Sequence, residues 1–147
     1  MSGKPELLRG GVSTDDRGRV SFVNEFDLSS CRRFYFVENF ATGTVRAWHA
    51  HRNERKWVLA VNGAALAACV EVDDWDSPSK NQEVHRFVLD AAHPSVLSVP
   101  PGFANGAMSL APGTKLLYMS DRALDESLDD DIRFPARYWD PWEVTER

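Results

Sequence analysis

Two histidines one residue apart, His49 and His51 in RAWHAHRNERKWVLAVNG, are the residues of this chain best suited to chemistry, and Lys56 follows them. Imidazoles serve as metal ligands or as groups that take and give protons near neutral pH. In an extended strand, residues i and i+2 share a face, so the two rings point the same way. The small Ala47 and Ala50 leave room beside them. Lys56 decides between the two chemistries. Its ammonium has no lone pair to give, and its charge repels a divalent cation at short range. Two histidines alone fall short of the three protein ligands usual at a catalytic metal site. The group therefore reads as a pocket for an anion or a developing oxyanion, with no metal and no cofactor expected.

The elements that must carry these residues read as strands. RVSFVNEF, RRFYFVEN, GTVRAWHA, KWVLAV, AALAACVEV, EVHRFVL, SVLSVP and TKLLYMS are short, rich in β-branched and aromatic residues, and separated by turn formers. Asn62-Gly63, between KWVLAV and AALAACVEV, predicts a tight hairpin, because both residue types tolerate positive φ. Only ALDESLDDD at 123–131 is suited to a short helix. About eight strands at fairly regular spacing predict an all-β sandwich or barrel of the jelly-roll type. With 147 residues and 43% apolar content, the whole of 1–147 is expected to form one domain around one core.

The formal charge of −5 comes with acidic stretches at 70–76 and 124–131 and a basic cluster of Arg46, Arg52, Arg55 and Lys56. Such a balance argues against nucleic acid and suits one small anionic ligand. Arg52 and Arg55 themselves read as an ordinary solvated face. No apolar run approaches membrane-spanning length, and MSGKPELLRGG lacks the apolar region of a secretory signal. Cys69, inside ALAACVEV, reads as a buried reduced thiol, so a cytoplasmic location is the default expectation. His85 and His93 read as strand-face and loop residues.

The spacing from Gly43 through His49-Ala50-His51 to position 56 and Gly63 resembles the first motif of the cupin superfamily, with Lys56 in the slot of a metal-binding glutamate. Pro100-Pro101-Gly102-Phe103-Ala104 resembles the second motif, with Asn105 where the last histidine would stand. Over nearly its whole length the chain resembles the metal-free cupins that act on nucleotide-linked 4-keto-6-deoxy sugars. One branch is the dTDP-4-dehydrorhamnose 3,5-epimerases and the other the sugar 3,4-ketoisomerases. The epimerase motifs have counterparts in Asp15-Asp16-Arg17-Gly18, Arg46-Ala47-Trp48-His49, Lys56-Trp57-Val58, Ser77-Pro78 and PPGFANGA, with Tyr118 thirteen residues after Asn105. The segment from Arg46 to His51 is more similar to the ketoisomerase pattern, for which Tyr35 stands as the preceding-strand tyrosine. Val20 and Phe22 depart from an aromatic and a glutamate of the epimerases, and the segment that gives those enzymes an aspartate partner for the histidine has no counterpart before Arg147.

What the resemblance implies is an isomerase that binds a nucleotide-diphosphate sugar and removes a proton beside its C4 ketone. His49 is then the candidate base and Lys56 the stabiliser of the enolate oxygen. Epimerisation needs an acid on the opposite face of the sugar, a role open to Tyr118. A 3,4-ketoisomerase passes through an enediol, for which His49 and His51 side by side could shuttle protons. Arg17 and Arg46 are candidates for the diphosphate, with His51, Asn105 and Tyr35 as further substrate contacts. Strict alternation would face Arg46 away from His49, together with Trp48, unless a bulge turns it. The resemblance also implies a homodimer in which Arg17 reaches a neighbouring subunit's site. A non-catalytic cupin that binds a sugar nucleotide, and a metal-dependent cupin, remain the alternatives.

Overall fold

The computed structural model describes residues 3–147, and nearly all its regular elements are strands. In chain order they are β1 (Glu6–Arg9), β2 (Gly11–Asp15), β3 (Gly18–Phe22), β4 (Arg33–Glu38), β5 (Val45–Ala50), β6 (Lys56–Asn62), β7 (Ala64–Glu71), β8 (Val84–Asp90), β9 (Ser95–Val99), β10 (Phe103–Ser109) and β11 (Lys115–Ser120). A short helix α1 (Leu124–Asp129) and β12 (Ile132–Arg133) follow. Antiparallel pairing gives one sheet ordered β1-β9-β6-β11-β4, a second ordered β12-β5-β10-β7-β8, and a separate β2–β3 hairpin. This is the two-sheet jelly roll that the strand spacing predicts.

Period-2 alternation decides which side chains the sheets enclose. On β4, Arg33, Tyr35 and Val37 point inward while Phe34 and Phe36 point out. On β11, Leu116, Tyr118 and Ser120 are buried. Val58, Ala60, Leu97, Leu116 and Phe103 fill the space between the sheets with Cys69, whose thiol is free and fully buried. Burial pushes that thiol well above its ordinary range, as an inert core cysteine requires. A second apolar cluster lies on the outer side of β5 and β10. There Trp48 packs against Trp139 and Trp142, and its indole N–H donates to the Ala136 and Trp139 carbonyls. Trp48 is thus a core residue, tied down by the C-terminal tail.

Two local expectations need correction. Asn62-Gly63 does not close a hairpin, because β6 pairs with β11 and β9 whereas β7 pairs with β10 and β8. The turn is instead the corner where the chain changes sheets. Only Gly63 has positive φ there (71°), and a Cβ on it would stand 2.5 Å from the Thr114 hydroxyl. Arg55, read above as solvated, is buried and donates to the Ser98 hydroxyl at 2.9 Å. Arg52 does stay exposed, over the Trp75 ring.

Strand β10 was hidden in PPGFANGA, whose small and turn-forming residues have weak strand preference. Those small residues serve a close approach. In the β5–β10 ladder Asn105 pairs with His49 and Ala107 with Arg46, so β5 carries one extra residue, a bulge over Ala47 and Trp48. A Cβ on Gly106 would lie 2.4 Å from the Ala47 Cβ, a contact no side chain could make. Glycine at 106 is therefore what lets the bulge lie against β10. The bulge in turn breaks the alternation, so Arg46 and His49 face the same cavity while Trp48 faces the opposite way.

Candidate active site

A cavity of about 490 Å³ opens between the two sheets, and chemistry-bearing side chains line both walls. The second sheet supplies Arg46 and His49 from β5, Asn105 from β10 and Arg133 from β12, with His51 just beyond the end of β5. The first sheet supplies Arg33 and Tyr35 from β4, Lys56 from β6 and Tyr118 from β11. Leu124, Ser127 and Leu128 of α1 close one side.

Lys56 is buried and its ammonium points into the site, donating to the Tyr35 hydroxyl at 2.6 Å. Accepting that bond leaves the Tyr35 O–H free to donate elsewhere. The Tyr35 and Tyr118 rings are stacked, with centroids 5.2 Å apart and planes 1° from parallel, because the two residues are direct partners across β4 and β11. Burial pushes the Tyr118 hydroxyl above its ordinary range, assisted by Tyr35. Tyr118 therefore stays protonated, a donor, at any working pH.

Both imidazoles are held below their usual pKa. For His49 the main cause is burial, reinforced by Arg133 and Lys56 and opposed by Asp131. For His51 burial again leads, opposed by Glu54 and reinforced by Lys56. Depressed values keep both rings neutral, as proton acceptors must be. Asn105 is buried and donates to the His49 carbonyl at 3.2 Å, tying β10 to the histidine strand. Arg46 donates to Asn39 at 2.7 Å.

Beneath Lys56 lies Glu54, whose side chain is 0% exposed. Its carboxylate accepts from the Ser120 hydroxyl at 2.5 Å and faces Arg33 at 3.4 Å, Lys56 at 3.8 Å and His51 at 3.3 Å. Burial alone would raise its pKa. The Ser120 and Ser127 hydroxyls with Lys56 and His51 outweigh that and hold it below the usual carboxylate range.

Of the residues singled out from the sequence, His49, His51, Lys56, Tyr35, Arg46, Asn105 and Tyr118 come together in this cavity. Arg17 does not. It is 86% exposed on the β2–β3 hairpin, where its partner is Asp15 of its own turn. The hairpin pairs with neither main sheet, so alternation within them cannot bring Arg17 inward. Val20 is likewise exposed on that hairpin. The sequence reading missed Arg33, Glu54, Asp131 and Arg133. Arg33 had a signal, since it lies two residues before Tyr35 and must share its face. Glu54 had none, being one acid within a basic loop. Among the described residues, no three of His, Cys, Asp and Glu converge in a geometry that would hold a metal ion.

The two-sheet jelly roll is a fold shared with solved dTDP-sugar epimerases and ketoisomerases. Residues 11–138 match the family model of dTDP-4-dehydrorhamnose 3,5-epimerase, and the chain belongs to that family of isomerases and epimerases of dTDP-linked sugars. No curated protein matches the sequence. Among solved structures, the chain is similar to the dTDP-4-dehydrorhamnose 3,5-epimerase of Bacillus anthracis, solved with TDP and pyrophosphate, at 26% identity and TM-score 0.76 over 97% of this chain and 86% of that one. It shares its fold with a sugar 3,4-ketoisomerase of Thermoanaerobacterium thermosaccharolyticum, solved with TDP, at 18% identity and TM-score 0.67 over 94% and 93% of the two chains. A 3'-monoepimerase of Streptomyces bikiniensis, solved with dTDP-quinovose, has 18% identity and TM-score 0.64 over 81% of this chain and 64% of that one. No helix among the described residues is long and apolar enough to cross a membrane.

Proposed function

We propose that this protein epimerises a dTDP-linked 4-keto-6-deoxyhexose at C3, or at C3 and C5. The observation that carries the reading is that proton acceptors and a proton donor stand on facing sheets of one cavity. His49 and His51 come from the second sheet or its edge, Tyr118 from the first, and Lys56 lies between them in the sequence of roles. A neutral imidazole takes the proton next to the ketone. The C4 oxygen then carries negative charge, which the buried Lys56 ammonium and the free Tyr35 O–H stabilise. Tyr118, held protonated, returns a proton to the other face of the ring, inverting the centre. Arg46, Arg33 and Arg133 bring guanidinium groups to the cavity wall for the diphosphate.

The exposed hairpin that carries Arg17 fits a homodimer in which it reaches the partner's cavity, and the fully buried Cys69 thiol is compatible with a cytoplasmic setting. A second reading, 3,4-ketoisomerisation, is favoured by His51, whose Nε2 is buried with no hydrogen-bond partner and could carry a proton between C3 and C4. Incubation with dTDP-4-keto-6-deoxyglucose in deuterated buffer, followed by NMR of the sugar protons, separates the two. Deuterium at C3 or at C3 and C5 with the ketone still at C4 is the expected result. A 3-keto product would establish the second reading, and no exchange would overturn both.

A further inference from the structure

Behind the cavity wall, in contact with His51 and Lys56, lies a carboxylate that plays no part in the scheme above. Glu54 sits in the loop between β5 and β6, completely buried. A buried charge is tolerated only when it is paired and hydrogen-bonded. One oxygen, Oε2, satisfies that rule through Ser120, Arg33 and Lys56. The other, Oε1, has no hydrogen-bond partner and lies 3.3 Å from Nδ1 of His51.

Nδ1 of His51 also lies 2.6 Å from the Asp130 carbonyl oxygen, just beyond α1. A carbonyl can only accept, so the proton of the neutral ring must reside on Nδ1. The lone pair is then on Nε2. That nitrogen is the orphaned buried atom of a residue lining the substrate cavity. A lone pair with no partner, backed on the far side of the ring by a carboxylate, is the arrangement of a histidine prepared to accept a proton.

We propose that Glu54 is a positioning residue for proton transfer: with the Asp130 carbonyl it holds His51 in the Nδ1–H form, leaves the Nε2 lone pair unpaired in the cavity wall, and stabilises the imidazolium that forms when Nε2 takes the proton. This rests on the reading of the cavity as a site of proton abstraction. It gives the chain its own histidine–carboxylate pair, supplied from the loop after the histidine strand and attached to His51. His49, by contrast, faces an ion pair, Arg133 with Asp131 at 3.0 Å, whose two charges act on it in opposite directions. The same carboxylate anchors Lys56, so the group that receives the proton and the group that stabilises the enolate share one counter-ion. Arg33 links Glu54 to the Ser127 hydroxyl of α1, which fixes the distance between the helix and the pair.

Other charges also act on His51: Lys56 from β6, His49 from β5, and Asp130 and Asp131 beyond α1. All remain in Glu54→Gln, which keeps the shape and removes only the charge. The test is a ¹⁵N NMR titration of the histidine rings in the wild type and in E54Q, with pH profiles of kcat/KM on the keto sugar. The wild type should show His51 as the Nδ1–H form. E54Q should titrate His51 at lower pH, since loss of the carboxylate disfavours imidazolium. The acid limb of kcat/KM should follow it downward, and the plateau should fall on the order of 10²-fold with KM little changed. An Nε2–H ring in the wild type, or a His51 midpoint unmoved in folded E54Q, would overturn the proposal. Should the wild type turn over no keto sugar, the functional reading fails while the NMR arm still decides the Glu54–His51 pairing. Should E54Q not fold, Glu54→Asp, which keeps the charge but draws it back from Nδ1, is titrated in its place, and a His51 midpoint unmoved there would overturn the proposal.

Discussion

The β2–β3 hairpin and the floor of the cavity each join an arginine to a carboxylate, and they differ in almost every physical respect. Arg17 and Asp15 meet on an exposed turn, two residues apart in sequence, with water around both. Such pairs contribute little, because solvent screens the charges and the long side chain loses freedom. Arg33 and Glu54 come from different parts of the chain and meet where the carboxylate is wholly enclosed, with Lys56 and His51 completing the set. There the desolvation cost is high, and removing one partner leaves an uncompensated charge. The motif that stood out in the sequence is the loosely held one. Of the tightly held one the sequence betrays only Arg33, through its place two residues before Tyr35.

Lys56 is where the buried cluster has most to lose. Lys56→Met should lower kcat by roughly 10²–10³-fold and destabilise the fold by about 3 kcal/mol, measured by steady-state kinetics and denaturant unfolding. A variant with wild-type kcat would remove the ammonium from the reaction. Next in size is Tyr118→Phe, which keeps the stacked ring and removes the donor. Epimerised product should fall by about 10²-fold while deuterium still enters at C3 from the histidine side. Equal loss of exchange and product would place Tyr118 on the abstracting face.

The buried cluster also makes stability depend on pH. His49, His51 and Glu54 all have folded-state pKa values held below their ordinary ones. The unfolded chain therefore binds more protons, so their contribution is present above the unfolded values and is lost as pH falls toward the folded ones. Tm should decline as pH drops through about 6.5 for the histidines, and again below the carboxylate range for Glu54. The smallest effect belongs to the hairpin. Arg17→Ala should leave the Tm of the chain unchanged by calorimetry, so that any fall in TDP affinity reports a contact with a second copy.

Much of the architecture was legible because strands with one buried face betray themselves by alternation, as RRFYFVEN does. β10 was not, because Asn105, Gly106 and Ala107 are selected for thinness beside β5, against strand preference. The turn at Asn62-Gly63 misled because local turn chemistry does not say whether the flanking strands stay in one sheet. At the site, His49, His51 and Lys56 were legible through spacing along one chain segment. Glu54 was not, since its meaning depends on Ser120 and Arg33, which lie 66 and 21 residues away. Pairings of that kind are created by the fold.

Gly106 has a consequence of its own. With a single hydrogen at that position, the neighbouring strand can settle one residue out of step, and an arginine and a histidine an odd number of places apart look into the same chamber. Adding one methyl carbon would force the strands apart and turn the guanidinium of Arg46 back toward the outside. The direction of a charged side chain thus depends on an atom that is not there.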